Sequence, residues 1–174
     1  IDLTLLASRA ATRKLDIYGA LDLAFNKFRD DLPDNSYRQA HLVPGFEYDV
    51  FISYRQNDNR SGWVTEFVKN LEAELAATIK EPVTVYFDSN PHDGLLDTYD
   101  VDDSLKEKLK CFIFIPILSQ TYCDLKSFAW KHEFLPFKKN SSDDQLGLKI
   151  KLANGNVASR ILPVCIHELD LSDK

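Results

Sequence analysis

The chain has 174 residues, 44% hydrophobic and 28% charged, which suits one well-cored domain with an appendage and excludes disorder or two domains of ordinary size. A net charge of −6 and a pI near 5.2 disfavour a surface that neutralises phosphate backbones, so nucleic acid is not an expected partner. Cys111, Cys123 and Cys165 form no CxxC pair and, being three, cannot all pair within the chain; free thiols and a reducing, cytoplasmic compartment are expected.

There is no apolar run of about 18 residues to cross a membrane, and the N-terminus lacks the basic start and apolar core of a signal peptide. The start at Ile1 instead of methionine reads as a piece of a longer chain.

In chain order, residues 1–44 read as a helical extension or linker. Leu3, Leu6 and Ala10, then Leu15, Tyr18, Leu21, Leu23, Ala24 and Phe28, recur at mixed three- and four-residue spacings, as one face of a helix requires. DDLPDN (30–35) then breaks the run. Such amphipathic segments are expected to pack on a neighbouring domain or join it to another, with oligomerisation as the alternative.

Residues 45–174 read as the domain proper. YDVFISY (48–54) is a short aromatic and β-branched run between turn signals, hence a strand. The polar loop RQNDNRSG leads into a helix in which Trp63, Phe67, Leu71, Leu75 and Ile79 recur close to every fourth position. VTVYFD (83–88) is a second strand, closed by the turn-forming SNPHDG. VDDSLKEKLK repeats the helical signal with Val101, Leu105 and Leu109 on one side. CFIFIPIL (111–118) is apolar throughout, as a strand covered on both faces should be. A further helix is expected between Thr121 and about Lys139, then a polar loop from SSDD, then a fourth strand, RILPVCI (160–166). Strands alternating with helices predict an α/β fold, a parallel sheet with helices on both faces and right-handed crossovers. Ligands of such sheets bind outside the carboxyl ends of the strands, so the loops after Tyr54, Asp88 and Leu118 should converge on a site.

Several chemistries are excluded at that edge. No GxGxxG or GxxxxGK[ST] is present, which removes the common phosphate cradles. A phosphate-accepting receiver needs acids at the end of its first strand, where this chain has Ser53, Tyr54 and Arg55. His92, Asp93, Asp97, Asp100, Asp102 and Asp103 match no calcium-loop spacing; Asp102 and Asp103 suit the positive end of a helix dipole, and no metal is expected. His132 has no second ligand at helical spacing. Neither GxSxG nor a cysteine-protease signature appears, and Cys123 reads as a satisfied buried thiol.

YDVFISYRQND (48–58), the aromatic-Asp end YFD of the second strand, the Gly-containing loop after it, FIFIPILSQTY (112–122) and a helix carrying Trp130 and Glu133 together resemble a Toll/interleukin-1 receptor (TIR) domain, from about Phe46 to Ile166. NPHDGLLDTYDVDDSLKEKLKC and SFAWKHEF are most similar to bacterial members. The resemblance implies a three-layer flavodoxin-like TIR fold and leaves two functions open. Some members are signalling adaptors acting only through TIR to TIR contact; others hydrolyse NAD+ at the nicotinamide-ribose bond, sometimes cyclising the product, and often only once assembled.

In the enzymatic members the catalytic residue is a glutamate on the helix after the third strand, a place that Glu133 occupies here. The resemblance also implies that Tyr54 and Arg55 contact ribose or phosphate, that Asp88 and Gly94 shape the loop after the second strand, and that Trp130 stacks on or walls the pocket. NAD+ is then the substrate, with no further cofactor, and other TIR domains are the protein partners. The alternative is a non-catalytic TIR module for homotypic interaction.

One carboxylate suffices chemically, because nicotinamide leaves as a neutral molecule and needs no general acid, so only the oxocarbenium-like ribose must be stabilised. One spacing departs from the family pattern. The tryptophan of many enzymatic members stands four residues before the glutamate, whereas Trp130 precedes Glu133 by three, which rotates the ring by roughly 100°. Phe128 or Ala129 lies nearer that position. The chain also ends soon after its fourth strand, so the C-terminal end is expected to be incomplete and the N-terminal helices to cover the surface so exposed.

Overall fold

The computed structural model describes residues 45–88, 99–144, 146–151, 155 and 157–166. The helical extension expected over residues 1–44, Gly94 and the acids Asp93 and Asp97 lie outside the described residues. The strands are β1 (Tyr48–Ser53), β2 (Val85–Phe87), β3 (Cys111–Leu118), β4 (Lys149–Lys151), β5 (Val157–Ser159) and β6 (Val164–Cys165); the α-helices are α1 (Trp63–Thr78), α2 (Tyr99–Lys108) and α3 (Leu135–Asp143). A parallel sheet runs β2-β1-β3-β6, and β4 and β5 form a separate antiparallel pair.

Because side chains alternate along a strand, β1 serves two cores. Val50, Ile52 and Tyr54 join one cluster with Val64, Val68 and Leu75 of α1 and Ile113, Ile115 and Ile117 of β3. Phe51 belongs to a second cluster with Phe114 of β3 and Phe137 of α3, against which Leu105 of α2 and Phe134 pack. Helices therefore cover both faces of the sheet. Phe51, paired with Phe114 in register, stacks on it at 5.4 Å.

Three expectations need correction. The buried stripe of α1 is Val64, Val68 and Leu75, while Trp63 is 41% exposed. An every-fourth series drifts about 40° per step on a helix of 3.6 residues per turn, so Trp63 and Ile79 cannot both face the core squarely. The third helix starts at Phe128 and runs to Asp143, beyond Lys139, because Ser141 stays inside it and donates to the Phe137 carbonyl at 2.6 Å. Residues 160–166 do not form one continuous strand: Ile161 makes a lone bridge with Phe114, and pairing resumes at Val164. One proline accounts for the gap. Phe114 turns its N–H and C=O toward Arg160 and Leu162, so Pro116, two residues on, lacks the N–H that would face the same neighbour.

Arg160 opens that segment and is 1% exposed. Its guanidinium donates to the carbonyls of Phe112 (2.7 Å), Cys111 (3.1 Å) and Gly147 (3.1 Å) and to Asp144 (2.5 Å). A planar fork with five N–H donors can satisfy acceptors on three segments at once. It thereby ties the start of β3 to the loop before β4. Among the described residues every buried side-chain polar atom has a hydrogen-bond partner, and no helix is long and apolar enough to cross a membrane.

Candidate functional site

The carboxyl ends of β1, β2 and β3 meet at one edge of the sheet. Ser53 ends β1 and is fully buried; it shares its side of the strand with Phe51 and so faces the layer containing α3. Its Oγ lies 2.7 Å from the Tyr122 hydroxyl and donates to Glu133 Oε2 at 2.5 Å. A serine has one proton to give. With that proton on Glu133, the Tyr122 hydroxyl must be the donor to Ser53. Burial pushes the Tyr122 phenol well above the usual tyrosine range, with the Glu133 charge adding to the effect against the Ser53 bond, so the phenol stays protonated. Tyr122, Ser53 and Glu133 thus form a directed relay that ends on the carboxylate.

Glu133 is half-buried on an unusual turn. Ala129–Phe134 is a π-helix, closed by the Leu135 N–H donating to the Trp130 carbonyl. The local cause is Pro136, at the start of α3: within a regular helix its ring would meet the His132 carbonyl and it has no N–H to offer. Widening the preceding turn relieves that clash. Such single turns recur at functional sites. Ser127 starts the segment by accepting from the Trp130 N–H at 3.1 Å and donating to the Tyr122 carbonyl at 2.8 Å, which fixes the helix to the loop bearing Tyr122.

The wide turn brings residues four apart into line. Phe128 stacks on His132 and Trp130 on Phe134, both at 4.6 Å between centroids. Trp130 is thus held by Phe134, whose ring packs toward Phe114 of β3. Ala129, four residues before Glu133, is buried.

The remaining candidates divide between the two faces. Arg55, half-buried, donates to the Thr121 carbonyl at 2.9 Å, and Asp58 accepts from Ser119 at 2.6 Å. These bonds join the loops after β1 and β3 into one rim. Tyr54 turns to the opposite layer, buried among the α1 core residues and stacked on Phe87 at 5.2 Å, and its hydroxyl donates to the Asp88 carbonyl at 2.5 Å. The exposed Asp88 is therefore held from beneath by Tyr54. Tyr86 of β2 feels the charge of Glu133 from the other side; burial raises its phenol most, and a hydrogen bond with Lys108 opposes the rise.

Arg55 and Glu133 are thus carried by the same rim, with Trp130 on the turn that bears Glu133, while Tyr54 and Asp88 form a separate pair and Gly94 lies outside the described residues. The residues that reading by motif missed are Ser53 and Tyr122. A buried serine closing an apolar strand and an aromatic within the polar SQTYCD loop were the available signals. Among the described residues a cavity of about 300 Å³ lies at the other end of the sheet, lined by Phe46, Lys110, Cys111, Asn140, Ser141 and Arg160. The Arg160 guanidinium there is already engaged by carbonyls and Asp144, the Cys111 thiol is held protonated by burial, and Ser141 donates to the Phe137 carbonyl, so the chemistry is better sought at the rim. Among the described residues no group of His, Cys, Asp and Glu gathers so as to hold a metal ion. Chemically, the rim offers the Glu133 carboxylate in series with the Ser53 and Tyr122 hydroxyls, the Asp58–Ser119 pair and the Arg55 guanidinium.

No protein-family model matches the chain, and no curated protein matches it.

Proposed function

We propose that the protein is a TIR-domain NAD+ glycohydrolase that cleaves the nicotinamide-ribose bond, with Glu133 as the catalytic carboxylate. What carries the reading is the Ser53 to Glu133 hydrogen bond, which anchors a half-buried acid beside the carboxyl ends of a parallel sheet. The strand order β2-β1-β3-β6 is compatible with the flavodoxin-like series 2-1-3-4-5, in which ligands sit near the β1/β3 switch point.

In the reaction the glycosidic C–N bond breaks with its electron pair going to the pyridinium nitrogen, so nicotinamide departs neutral. Positive charge grows on the ribose, and the ionised Glu133 stabilises it electrostatically. Water then adds to the sugar and gives up a proton, yielding ADP-ribose; capture by an internal nucleophile gives a cyclic isomer instead. Arg55 contacts phosphate or ribose oxygens, Trp130 walls the nicotinamide side, and Tyr54 braces the backbone at Asp88. The domain works in the cytoplasm of a bacterium as an effector of defence or signalling and is activated by self-association.

A second reading, a non-catalytic TIR module for homotypic contact, is favoured by the exposed Leu125 (69%), Phe128 (42%) and Leu135 (44%) around the start of the Glu133 helix. The two are separated by incubating concentrated protein with NAD+ and quantifying nicotinamide by chromatography, then repeating with Glu133→Ala. Glycohydrolysis predicts release lost in the variant; release at the same rate removes Glu133 from its role, and no release from assembled wild-type protein favours the interaction module.

A further inference from the structure

We propose that Tyr122 and Ser53 are positioning residues that keep Glu133 ionised and hold its carboxylate in one rotamer, a role that rests on the reading of Glu133 as the catalytic group. The case is one of proton counting. Three oxygens lie in series, at 2.7 Å and 2.5 Å, and two hydroxyl protons are available to fill the two gaps. Both hydroxyls donate in the same direction toward Oε2, and the Ser53 bond is strongest when that oxygen belongs to an ionised carboxylate. Successive donors polarise one another, so Ser53 is a stronger donor with Tyr122 behind it than it would be alone.

Both hydroxyl residues have no other freedom. Ser53 and Tyr122 are each 0% exposed, so water cannot replace either hydroxyl without rearrangement. The Tyr122 backbone is fixed as well, its N–H donating to Ser119 Oγ at 3.0 Å and its carbonyl accepting from Ser127, the residue just before the Glu133 helix. One tyrosine therefore fixes the start of that helix through its main chain and the end of its acid through its side chain. A catalytic group that must meet a developing cation needs this kind of preorganisation, since a mobile carboxylate would lose electrostatic stabilisation through reorientation.

The groups facing Glu133 set the sign. Tyr122 from the loop after β3 and Tyr86 from β2 are neutral phenols held protonated by burial. Lys108 and Asp88 stand beside Tyr86 with opposite charges, Arg55 is bound to the Thr121 carbonyl, and Lys131 and His132 are neighbours on the same turn. Hydrogen bonding to the charged form lowers a carboxyl pKa and half-burial raises it. Removing the Ser53 donor takes away one interaction that favours the charged form.

The test is a titration of the Glu133 carboxyl by carbon-13 NMR in the wild type, Ser53→Ala and Tyr122→Phe, with the acid limb of the nicotinamide-release profile measured in parallel. Ser53→Ala is expected to raise the Glu133 pKa by roughly one to two units, the size of a hydrogen bond to a charged group, and Tyr122→Phe, which keeps Ser53, by less. The acid limb of kcat moves up by the same amounts, with KM nearly unchanged. A Glu133 titration that stays in place in both folded variants overturns the relay. Absence of turnover in the wild type overturns the glycohydrolase reading instead, and the NMR titration then still decides the relay by itself.

Discussion

Ser53 and Tyr54 are adjacent in the chain, yet their side chains serve opposite layers of the sheet: Ser53 bonds Glu133 in the layer of α3, while Tyr54 is buried with Val64 and Val68 of α1. Alternation along a strand imposes this split. Two neighbouring polar residues at one strand end thus have separable jobs.

The first prediction uses that separation. Tyr54→Phe removes only the hydroxyl that donates to the Asp88 carbonyl and is expected to cost about 1 kcal/mol of stability, the net worth of an ordinary hydrogen bond. Urea denaturation measures the loss. The Glu133 carboxyl should titrate as in the wild type, because nothing on its own face has changed. A Glu133 shift in Tyr54→Phe as large as that of Ser53→Ala would show that the two faces are coupled.

Arg160 is the centre of the opposite end. Its guanidinium holds the carbonyls of Cys111 and Phe112 as well as Asp144. Arg160→Ala leaves buried acceptors without donors and removes the cation facing Phe46, whose ring lies 5.1 Å away. The expected destabilisation is about 3–5 kcal/mol, the range for breaking a buried charged network from one side. Arg160→Lys should recover only part of it, since an ammonium cannot span the same set of acceptors. Thermal and urea unfolding of both variants check the order wild type, lysine, alanine.

Alkaline stability follows from the buried acids. Burial pushes the Cys111 thiol and the Tyr122 phenol well above their ordinary ranges. Each therefore binds its proton more tightly in the folded state. Their contribution is fully present below the unfolded values, about 8.5 for cysteine and 10 for tyrosine, and is lost as pH rises from there toward the folded values. Each such group is expected to remove about 1.4 kcal/mol per pH unit in that window. Urea midpoints between pH 7.5 and 10 should fall first through Cys111, and Cys111→Ala should flatten the decline between about pH 8.5 and 10. In native protein at pH 9 a thiol reagent should leave Cys111 unmodified until the chain is unfolded.

How much of this was legible in the sequence varies with the range of the interaction. β1 and β3 were legible because YDVFIS and CFIFIPIL carry their burial in composition, and a parallel sheet with helices on both faces follows from alternation of elements; the order β2-β1-β3 does not. Glu133 was placed at the rim by its position after β3. Its partner was not, since Ser53 and Glu133 lie 80 positions apart and no local pattern encodes which hydroxyl meets which acid. Arg160 was read only as the start of an apolar strand because charge at such a boundary ordinarily faces water; its burial depends on carbonyls from β3. The π turn was invisible for another reason. It is a backbone hydrogen-bond shift, and only Pro136 hinted at it.

That proline supplies the last prediction. Pro136→Ala restores an N–H opposite the His132 carbonyl and removes the ring that obstructs a regular turn. Residues 129–134 should then tighten from π to α winding, gaining about 1 kcal/mol from one additional helical hydrogen bond. Tightening by one residue turns the preceding side chains by roughly 100° relative to α3. Because α3 is anchored through the buried Phe137 and Ser141, the displacement falls on Glu133 and draws it away from Ser53. Stability should therefore hold or rise while nicotinamide release falls about 10²-fold, the cost of misplacing a catalytic group by an ångström or more. Melting temperature and release rate, measured on the same preparation, give the comparison. Full activity at raised stability would mean that the wide turn is merely how the chain accommodates a proline.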